Sequence, residues 1–474
     1  MTQPPDPENP DRYTDLGISD AMAGRLEQAA ANFSRALALR PDHPTAPFFL
    51  GAALNGLGRH EEALDVADRA LAINPSGEAW IVRGDALRHL GRDQASLESF
   101  VEAARWDIRR VEALTKAAWQ HVALRHYDEA LAAFDAAIAL RPADAAARFD
   151  RGLIRLTVGD FEGGWSDYEA RLQKAVFLKE SAGQLTDLLA RLEPDLHPED
   201  LRGRRVLLVS EQGIGDQVMF ASLIPDLAAL ASQITCVCDF RLAGLLAASF
   251  PEVRFPDARV TEFRHSDYDK VVAMAAPARQ FRRRLEDFPG RPYLAPRAAV
   301  RERWAARLGP RPAGLRIGLS WRGGTPTTNA ARRSMTLEQF APILDLPDCE
   351  FVSLQYGEVA DEVAAVSARL GRPVRVFPKA EIDDFEELAG LLDTLDVVVS
   401  VQTAVVHVAG ALGKDCLVML PYSPEWRYMA SSPTMPWYGS VELHRQSSPG
   451  SWEPVLREVT DALRARLSRT PASP

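Results

Sequence analysis

The first third of the chain repeats itself with a period of 34 residues, and this feature constrains the fold more than any other. Turn-like segments begin at Gly24, Gly58, Gly91, Arg125 and Gly159, at offsets of 34, 33, 34 and 34 residues. A small residue precedes each start at a fixed distance: Gly17, Gly51, Gly84, Ala118 and Gly152. Small residues let helices approach closely, so each unit is predicted to be a pair of short amphipathic helices. One pair cannot bury its apolar face, whereas a stack of pairs can.

The period and the residue types resemble those of tetratricopeptide repeats. The resemblance covers five units over about residues 10–176. It implies a helical solenoid whose groove holds an extended peptide or a helix of a protein partner. We therefore expect the repeats to recruit a protein, and the chemistry to lie elsewhere in the chain.

The composition favours a folded, multidomain protein and disfavours two classes of partner. The chain has 474 residues, and 55 Lys and Arg against 65 Asp and Glu give a net charge of 55 − 65 = −10. This balance argues against a broad surface for nucleic acid or for anionic membranes. The N-terminal residues lack an apolar core that could serve as a signal peptide, so a cytoplasmic location is expected. The apolar window 397–420 contains polar residues and is interpreted as strand, helix and strand rather than a membrane span.

After the repeats, the pattern changes from paired helices to alternating strands and helices. Residues 177–203 are predicted to be a connector. An α/β half is predicted at 204–297, with strands "VLLVS", "ITCVCD" and "KVVAMA". A second α/β half is predicted at 298–467, with strands "RIGLSW", "EFVSLQ", "VRVF", "DVVVSV" and "CLVML". Two such halves place the carboxyl ends of their strands at an intervening cleft, where ligands bind.

A buried strand ending at Val401 is followed by a segment that is typical of a helix start. Thr403 is a candidate N-cap, and the N–H groups of Thr403, Ala404 and Val405 would face the cleft with the positive end of the helix dipole. This arrangement suits a diphosphate. His407, one turn later, could donate a hydrogen bond to a phosphate oxygen, or it could be a buried core histidine.

The stretch "GLSWRGG", Gly318 to Gly324, marks a second exit from a strand. Arg322, Arg332 and Arg333 on this loop favour an anion-binding cradle, with a solvated loop as the alternative. The chain contains no GxxxxGK[ST] motif, and its "GIGD" lacks the third glycine of a dinucleotide fingerprint. Nucleotide hydrolysis of the P-loop type and hydride transfer are therefore disfavoured.

Six ordered motifs resemble those of the family-9, heptosyltransferase-like glycosyltransferases that are fused to tetratricopeptide repeats. They are "EQGIGDQVMFA", "GLSWRGG" with "RRSM", "VSLQYG", "SVQTAVVHVAGALGK", "LPYSPEWRY" and "PWYGSVELHRQ". The resemblance extends over essentially the whole chain, and "GGWSDYEARL" resembles the junction motif of the same group. It implies an α-helical repeat solenoid followed by an α/β GT-B fold of two Rossmann-like halves. The second half would hold a nucleotide-sugar donor, and the first half and the repeats would hold the acceptor.

The resemblance also implies the site residues. Those expected to bind the donor are Trp321, Arg322, Arg332, Gln355, Gln402, Thr403, Ala404 and His407. Gly213 and Gly215 would form the acceptor loop. Gln402 stands where the family commonly has aspartate, which puts ADP-heptose in doubt as the donor.

Asp216 matches the acid that serves as the base in this family. An inverting transfer needs a carboxylate to accept the proton of the attacking acceptor hydroxyl. Glu211, on the same loop, is the alternative base, and an N-cap is the structural alternative for Asp216. No DxD motif lies at a strand end, so no metal and no cofactor are expected beyond the nucleotide-sugar substrate.

The sequence leaves three hypotheses for function. The first is a cytoplasmic, metal-independent glycosyltransferase acting on a protein recruited by the repeats, with flagellin as one candidate. The second is a non-enzymatic scaffold that keeps a degenerate GT-B domain. The third is a heptosyltransferase of envelope saccharide synthesis.

Overall fold

The computed structural model describes residues 9–107, 109–173, 192, 196–257, 259, 263–324 and 330–469. Within it, the chain divides into two compact units, 1–154 and 155–474. Most of the predicted connector, 177–191 and 193–195, lies outside the described residues. No helix in the described ranges has the length and apolar character needed to span a membrane.

Helix pairs build the first unit, as the repeat predicts. The helices are α1 (Pro10–Met22), α2 (Leu26–Leu39), α3 (Ala46–Gly56), α4 (His60–Ile73), α5 (Gly77–His89), α6 (Asp93–Ala103), α7 (Arg110–Ala123), α8 (Tyr127–Leu140) and α9 (Ala145–Val158). Each of α1 to α7 packs against the next helix. A Cβ on Gly17 would lie 2.5 Å from Phe33, and one on Gly84 would lie 2.5 Å from Phe100. The small residues therefore permit the close helix contacts that the sequence predicts.

The compact unit and the repeat pattern end at different residues. The sequence places the end of the repeats near residue 176, whereas the first compact unit ends at Ile154, inside α9. The next helix, α10 (Phe161–Tyr168), and the 3₁₀ turn Glu169–Gln173 belong to the second unit. The physical reason is the aromatic face of α10, which packs against residues of both α/β halves, as described below.

A four-stranded parallel sheet forms the first α/β half. Its strands are β1 (Arg205–Val209), β2 (Gln233–Val237), β3 (Val253–Arg254) and β4 (Lys270–Ala273), in the order β3-β2-β1-β4. The central strand β1 pairs with β2 from Arg205↔Gln233 to Val209↔Val237. Its last four residues are buried, as expected for a strand covered on both faces. The helices in this half are α11 (Pro198–Leu201), α12 (Ile214–Phe220), α13 (Ile224–Ala228), α14 (Phe240–Ser249) and α15 (Ala278–Phe281).

A seven-stranded sheet forms the second half. Its strands are β5 (Arg316–Ser320), β6 (Glu350–Ser353), β7 (Val374–Arg375), β8 (Val397–Val401), β9 (Cys416–Leu420), β10 (Thr434–Met435) and β11 (Tyr438–Arg445). Their order is β10-β11-β9-β8-β5-β6-β7, and only the β10–β11 pair is antiparallel among the described strands. The helices are α16 (Ala298–Leu308), α17 (Ala330–Arg333), α18 (Ala341–Leu344), α19 (Ala360–Leu370), α20 (Lys379–Ile382), α21 (Phe385–Asp393), α22 (Ala404–Ala411) and α23 (Glu453–Leu467).

The predicted architecture of helical repeats followed by two parallel α/β halves is confirmed. The apolar window 397–420 forms β8, α22 and β9, as the sequence indicates. The sequence analysis did not predict β3, β10 or β11. The predicted site residues follow the ends of β1, β5, β6 and β8. Parallel strands of one sheet end at the same edge, so the site residues of each sheet lie at that edge.

Candidate functional site

The glycine loop after β1 makes direct contact with the second half. Gln212 in this loop has a left-handed backbone, with φ of 65°. A Cβ on Gly215 would lie 2.9 Å from Cδ2 of His407, a residue of α22. Because a side chain at position 215 would displace the imidazole, glycine is required for this close approach. The loop and the start of α22 therefore lie side by side, as the sequence predicts.

Asp216 is the third residue of α12 and not its N-cap. Gly213 occupies the cap position, so the N-cap alternative for Asp216 is wrong. Oδ1 of Asp216 accepts a hydrogen bond from Nε of Arg427 at 2.8 Å and a second one from Nη2 of the same guanidinium. Among the described residues, no donor reaches Oδ2.

Burial determines the acidity of Asp216. Its side chain is 11% exposed, and the cost of burying the charged form raises its pKa. The Arg427 guanidinium opposes this increase, while Glu425 and Glu211 add to it. A buried carboxylate with a raised pKa and one free oxygen is suited to accepting a proton.

Glu211 has a different environment. Its side chain is 0% exposed. Arg171 donates from Nε to Oε2 at 2.8 Å and from Nη2 to Oε1 at 2.7 Å, and the Ala275 N–H also reaches Oε1 at 3.1 Å. The alternative that Glu211 is the base is therefore not supported, because no oxygen of this carboxylate is accessible to an acceptor. The structure assigns Glu211 to a buried ion pair.

The start of α22 is the predicted binding site for the diphosphate. Thr403 is the N-cap residue, as predicted, but its side chain does not cap the helix. Instead, Oγ1 of Thr403 lies 3.1 Å from Oγ of Ser400. The first N–H groups of a helix have no acceptor within the helix. Among the described residues, the N–H groups of Ala404 and Val405 donate to no acceptor, so they are available to an anion.

Gln402 is buried at the exit of β8. Its side-chain oxygen and nitrogen both lack a hydrogen-bond partner in the described part of the chain. Its backbone oxygen accepts a hydrogen bond from Nη2 of Arg333 at 3.0 Å. A Cβ on Gly323 would lie only 2.2 Å from that oxygen, so the loop after β5 packs closely on the β8 exit. Buried amides without partners are rare in native proteins.

Two predicted donor-binding residues have structural roles instead. Trp321 is 0% exposed and packs in the core of the second half, and its Nε1 donates to Glu362 at 3.1 Å. Oε1 of Gln355 accepts from the N–H groups of Trp321 and Arg322 at 2.8 and 2.7 Å. Gln355 thus provides the hydrogen-bond acceptor for the backbone N–H groups that follow β5. Neither the Trp321 nor the Gln355 side chain is free to contact a nucleotide sugar. Arg322 forms an ion pair with Glu362.

Arg333 contacts the exit of β8. It donates to the backbone of Gln402 and also forms an ion pair with Glu425. The preceding residues 325–329 lie outside the described part of the chain. Of the three arginines in the predicted cradle, Arg333 lies at the exit of β8 and Arg322 is paired with Glu362.

Sequence reasoning missed Arg427 and Tyr438. Arg427 follows β9 in "LPYSPEWRY", and Tyr438 begins β11 in "PWYGSVELHRQ". Oη of Tyr438 lies 3.1 Å from Nδ1 of His407. Burial, together with Arg427 and Arg333, lowers the pKa of His407 to about 3. The imidazole is therefore neutral at physiological pH.

The junction segment, which includes α10, also packs against the candidate site. Trp165 and Tyr168 of α10 form an aromatic cluster with Phe220, Trp426 and Trp437, which come from both halves. Nε2 of Gln212 donates to Oη of Tyr168 at 2.7 Å. The junction motif thus supports the glycine loop directly.

Comparisons with known proteins support the repeats and show a relative that aligns with most of the chain. A tetratricopeptide-repeat family model matches residues 14–78 and 115–175, which confirms the predicted repeats. The chain is 31% identical over 481 aligned residues to protein FlbA of Caulobacter vibrioides, covering 95% of the chain and 78% of that protein.

Two solved structures are similar to different parts of the chain. The ADP-heptose LPS heptosyltransferase II of E. coli shares 15% identity, covers 56% of the chain and 99% of its own, and has a TM-score of 0.43. A tetratricopeptide-repeat protein of Thermus thermophilus shares 22% identity, covers 35% of the chain and 92% of its own, and has a TM-score of 0.32.

Proposed function

The chain belongs to the family of protein FlbA, and we propose that it is an inverting glycosyltransferase that moves a sugar from a nucleotide-sugar donor to a protein. The ordered motifs resemble those of heptosyltransferase-like enzymes fused to tetratricopeptide repeats. The repeats support a role in binding a protein partner.

The environment of Asp216 is the observation that carries this proposal. The carboxylate lies at the contact between the two halves, near the start of α22. Arg427 binds one oxygen, and the other oxygen accepts no hydrogen bond from the described residues. A base for group transfer needs this combination of a fixed orientation and a free lone pair.

The proposed reaction is a single displacement at the anomeric carbon. The acceptor hydroxyl oxygen forms the new bond to that carbon, and its proton passes to Oδ2 of Asp216. The bond from the anomeric carbon to the diphosphate oxygen breaks, and its electron pair leaves with the nucleoside diphosphate. The protonated Asp216 then loses the proton to water.

The start of α22 would stabilise the leaving diphosphate. The N–H groups of Ala404 and Val405 and the positive end of the helix dipole would meet its developing charge, and Arg333 lies beside them. His407 is neutral, so it would contribute a hydrogen bond rather than a charge. Gln402 has a buried amide that could bind a donor hydroxyl.

The acceptor is proposed to be a protein in the cytoplasm that the repeats recruit. Flagellin is the candidate that the family resemblance implies. A panel of UDP-, GDP-, ADP- and TDP-sugars would test the proposal. We expect at least one of them to raise the melting temperature of the purified protein and to label flagellin from the same organism.

The alternatives predict different results in this panel. Transfer of heptose from ADP-heptose to a lipopolysaccharide core, without labelling of protein, would favour the envelope heptosyltransferase. If no nucleotide sugar stabilises the protein or is consumed, the non-enzymatic scaffold replaces the proposed function.

Transfer is expected to persist in EDTA. A magnesium-dependent enzyme normally holds its ion with one or two carboxylates in addition to the substrate phosphates. At the exit of β8, beside the proposed diphosphate site, the chain has Gln402 rather than a carboxylate. Initial rates with EDTA and with added Mg²⁺ should therefore agree. An activity abolished by EDTA and restored by Mg²⁺ or Mn²⁺ would contradict the proposed leaving-group chemistry.

A fragment starting at Ala145 is expected to bind the donor but to lose transfer to protein. It keeps α9 whole and contains the entire second compact unit, with α10 and its aromatic contacts. Donor binding is measured by thermal shift, and transfer by labelling of flagellin. The complementary fragment 1–144 should bind flagellin in a pull-down. Full labelling of flagellin by the Ala145 fragment would show that the repeats do not recruit the acceptor.

A further inference from the structure

We infer that Arg427 is a positioning residue that fixes the orientation and the proton affinity of Asp216. The proposed base lies in the first half, so its function depends on an arginine of the second half. This inference rests on the proposed function, in which Asp216 is the base. Neither the family resemblance nor the sequence pattern assigns a role to Arg427.

The contact between the two side chains has the geometry of an orienting interaction. Nε and Nη2 of Arg427 both donate to Oδ1 of Asp216, so the guanidinium binds one edge of the carboxylate. The side chain of Arg427 is 14% exposed and that of Asp216 is 11% exposed. Because water is largely excluded, the charged hydrogen bonds are stronger than they would be at the surface.

The position of Arg427 is itself fixed by the fold. The preceding Trp426 packs in the aromatic cluster, and the following Tyr428 is buried. Arg445 of β11 donates to the backbone oxygens of Tyr428 and Met429. The segment that carries Arg427 is thus held on both sides, and the guanidinium is presented to Asp216 from a fixed backbone.

A chain of ion pairs continues from Arg427 to the proposed donor site. Nη1 of Arg427 donates to Oε2 of Glu425 at 2.6 Å, and Arg333 binds the other oxygen of Glu425. Arg333 also donates to the backbone oxygen of Gln402, immediately before α22. The base and the start of α22 are therefore connected through three charged side chains.

Arg427 is the cation that lowers the proton affinity of Asp216. Glu425 and Glu211 face the same carboxylate and raise its pKa, as burial does. Tyr168 and Tyr438 also face it, but burial raises the pKa of both phenols, so they remain neutral. His407 is neutral as well. Without Arg427, burial and the two carboxylates would raise the pKa of Asp216 without the opposing effect of this guanidinium.

The test compares Arg427→Met and Arg427→Lys with a matched control, Arg445→Met. Arg445 supports the same segment through the backbone of Tyr428 and Met429, whereas the hydrogen bonds to Asp216 come from Arg427. The pKa of Asp216 is measured in the intact, ligand-free protein from pH-difference infrared spectra, with Asp216→Asn used to identify the carboxyl band. The pH dependence of kcat/KM is measured for flagellin labelling with the donor found in the panel.

Arg427→Met should move the Asp216 titration and the acidic limb of kcat/KM upward by about one to three pH units, because the opposing charge is gone. Arg427→Lys should keep the limb near its wild-type position but lower kcat, since an ammonium does not reproduce the two N–H contacts. Arg445→Met should leave the limb unchanged.

Two results separate the inference from the proposed function. An infrared titration and an acidic limb that are the same in Arg427→Met and wild type would overturn the inference, even if Asp216→Asn is inactive. An equal shift in Arg445→Met would overturn it too, since the effect would then come from the segment. Near-normal transfer by Asp216→Asn would instead overturn the role of Asp216 as the base.

Discussion

Replacement of Asp216 by asparagine is expected to lower transfer by about 10²- to 10⁴-fold, the usual contribution of a general base. Asparagine has the size of aspartate and can still accept a hydrogen bond from Arg427 through its carbonyl oxygen. It cannot accept the proton of the acceptor hydroxyl. The loss should therefore appear in kcat, measured with saturating donor, while the melting temperature with donor stays close to that of the wild type.

Asp239→Asn provides the matched control for this substitution. Asp239 follows β2 in the same half, caps α14, and forms an ion pair with its own arginine, Arg241. Asparagine is as good an N-cap as aspartate. This variant should keep near-normal transfer. Activity in Asp216→Asn equal to that of Asp239→Asn would show that the base lies elsewhere.

Local pattern was sufficient to predict most of the fold. The repeat period located the helix pairs, and buried apolar runs located β1, β2, β4 and the five strands from β5 to β9. The unpredicted strands lack such runs. β3 and β10 have two residues each, as β7 has, and buried positions follow no regular period in β11, "YGSVELHR". Their pairing depends on neighbouring strands rather than on their own composition.

The side chain of Trp321 shows what a motif leaves undetermined. The motif "GLSWRGG" suggests that Trp321 lies in the cleft. The two-residue period of the strand instead predicts that its side chain lies in the core. Ile317, Leu319 and Trp321 alternate along β5 and its exit, and all three lie in the core of the second half. The period of two thus predicts the orientation of the indole better than the motif does.

Contacts between distant residues could not be predicted from one sequence. Arg427 is 211 positions from Asp216, and Arg171 is 40 positions from Glu211. No local pattern connects either pair. Glu211 and Asp216 therefore remained competing bases in the sequence, although their environments differ. The structure distinguishes the two residues. Among the described residues, Asp216 keeps one oxygen without a hydrogen-bond donor, whereas Glu211 is enclosed in its ion pair with Arg171.

The second large effect is expected on stability, from the buried ion pair between Arg171 and Glu211. Glu211→Gln is expected to destabilise the α/β unit by about 3 kcal/mol, the lower end of the range for breaking a buried ion pair, because Arg171 keeps its second carboxylate partner, Glu169. Both side chains are buried, at 2% exposure for Arg171 and 0% for Glu211. A neutral amide leaves the Arg171 guanidinium with less compensating charge in a site that water cannot reach.

Urea unfolding of the Ala145 fragment provides the measurement, because the full chain has two compact units and need not unfold in one step. Fluorescence of the tryptophans in the aromatic cluster reports on this region. Glu199→Gln is the control, since Glu199 forms an exposed pair with Arg202 and should change the midpoint little. An unchanged midpoint in Glu211→Gln would contradict the structural assignment.

Stability and transfer, measured together, distinguish the role of Glu211 from that of Asp216. The loop that precedes α12, the helix of Asp216, is attached to the junction segment through Arg171 and Tyr168. Loss of the ion pair should therefore lower stability strongly and transfer only moderately at temperatures where the variant is folded. Asp216→Asn should show the opposite combination. If Glu211→Gln instead abolished transfer in a fully folded protein, Glu211 would take part in the chemistry, and the enclosed ion pair would have to open during the reaction.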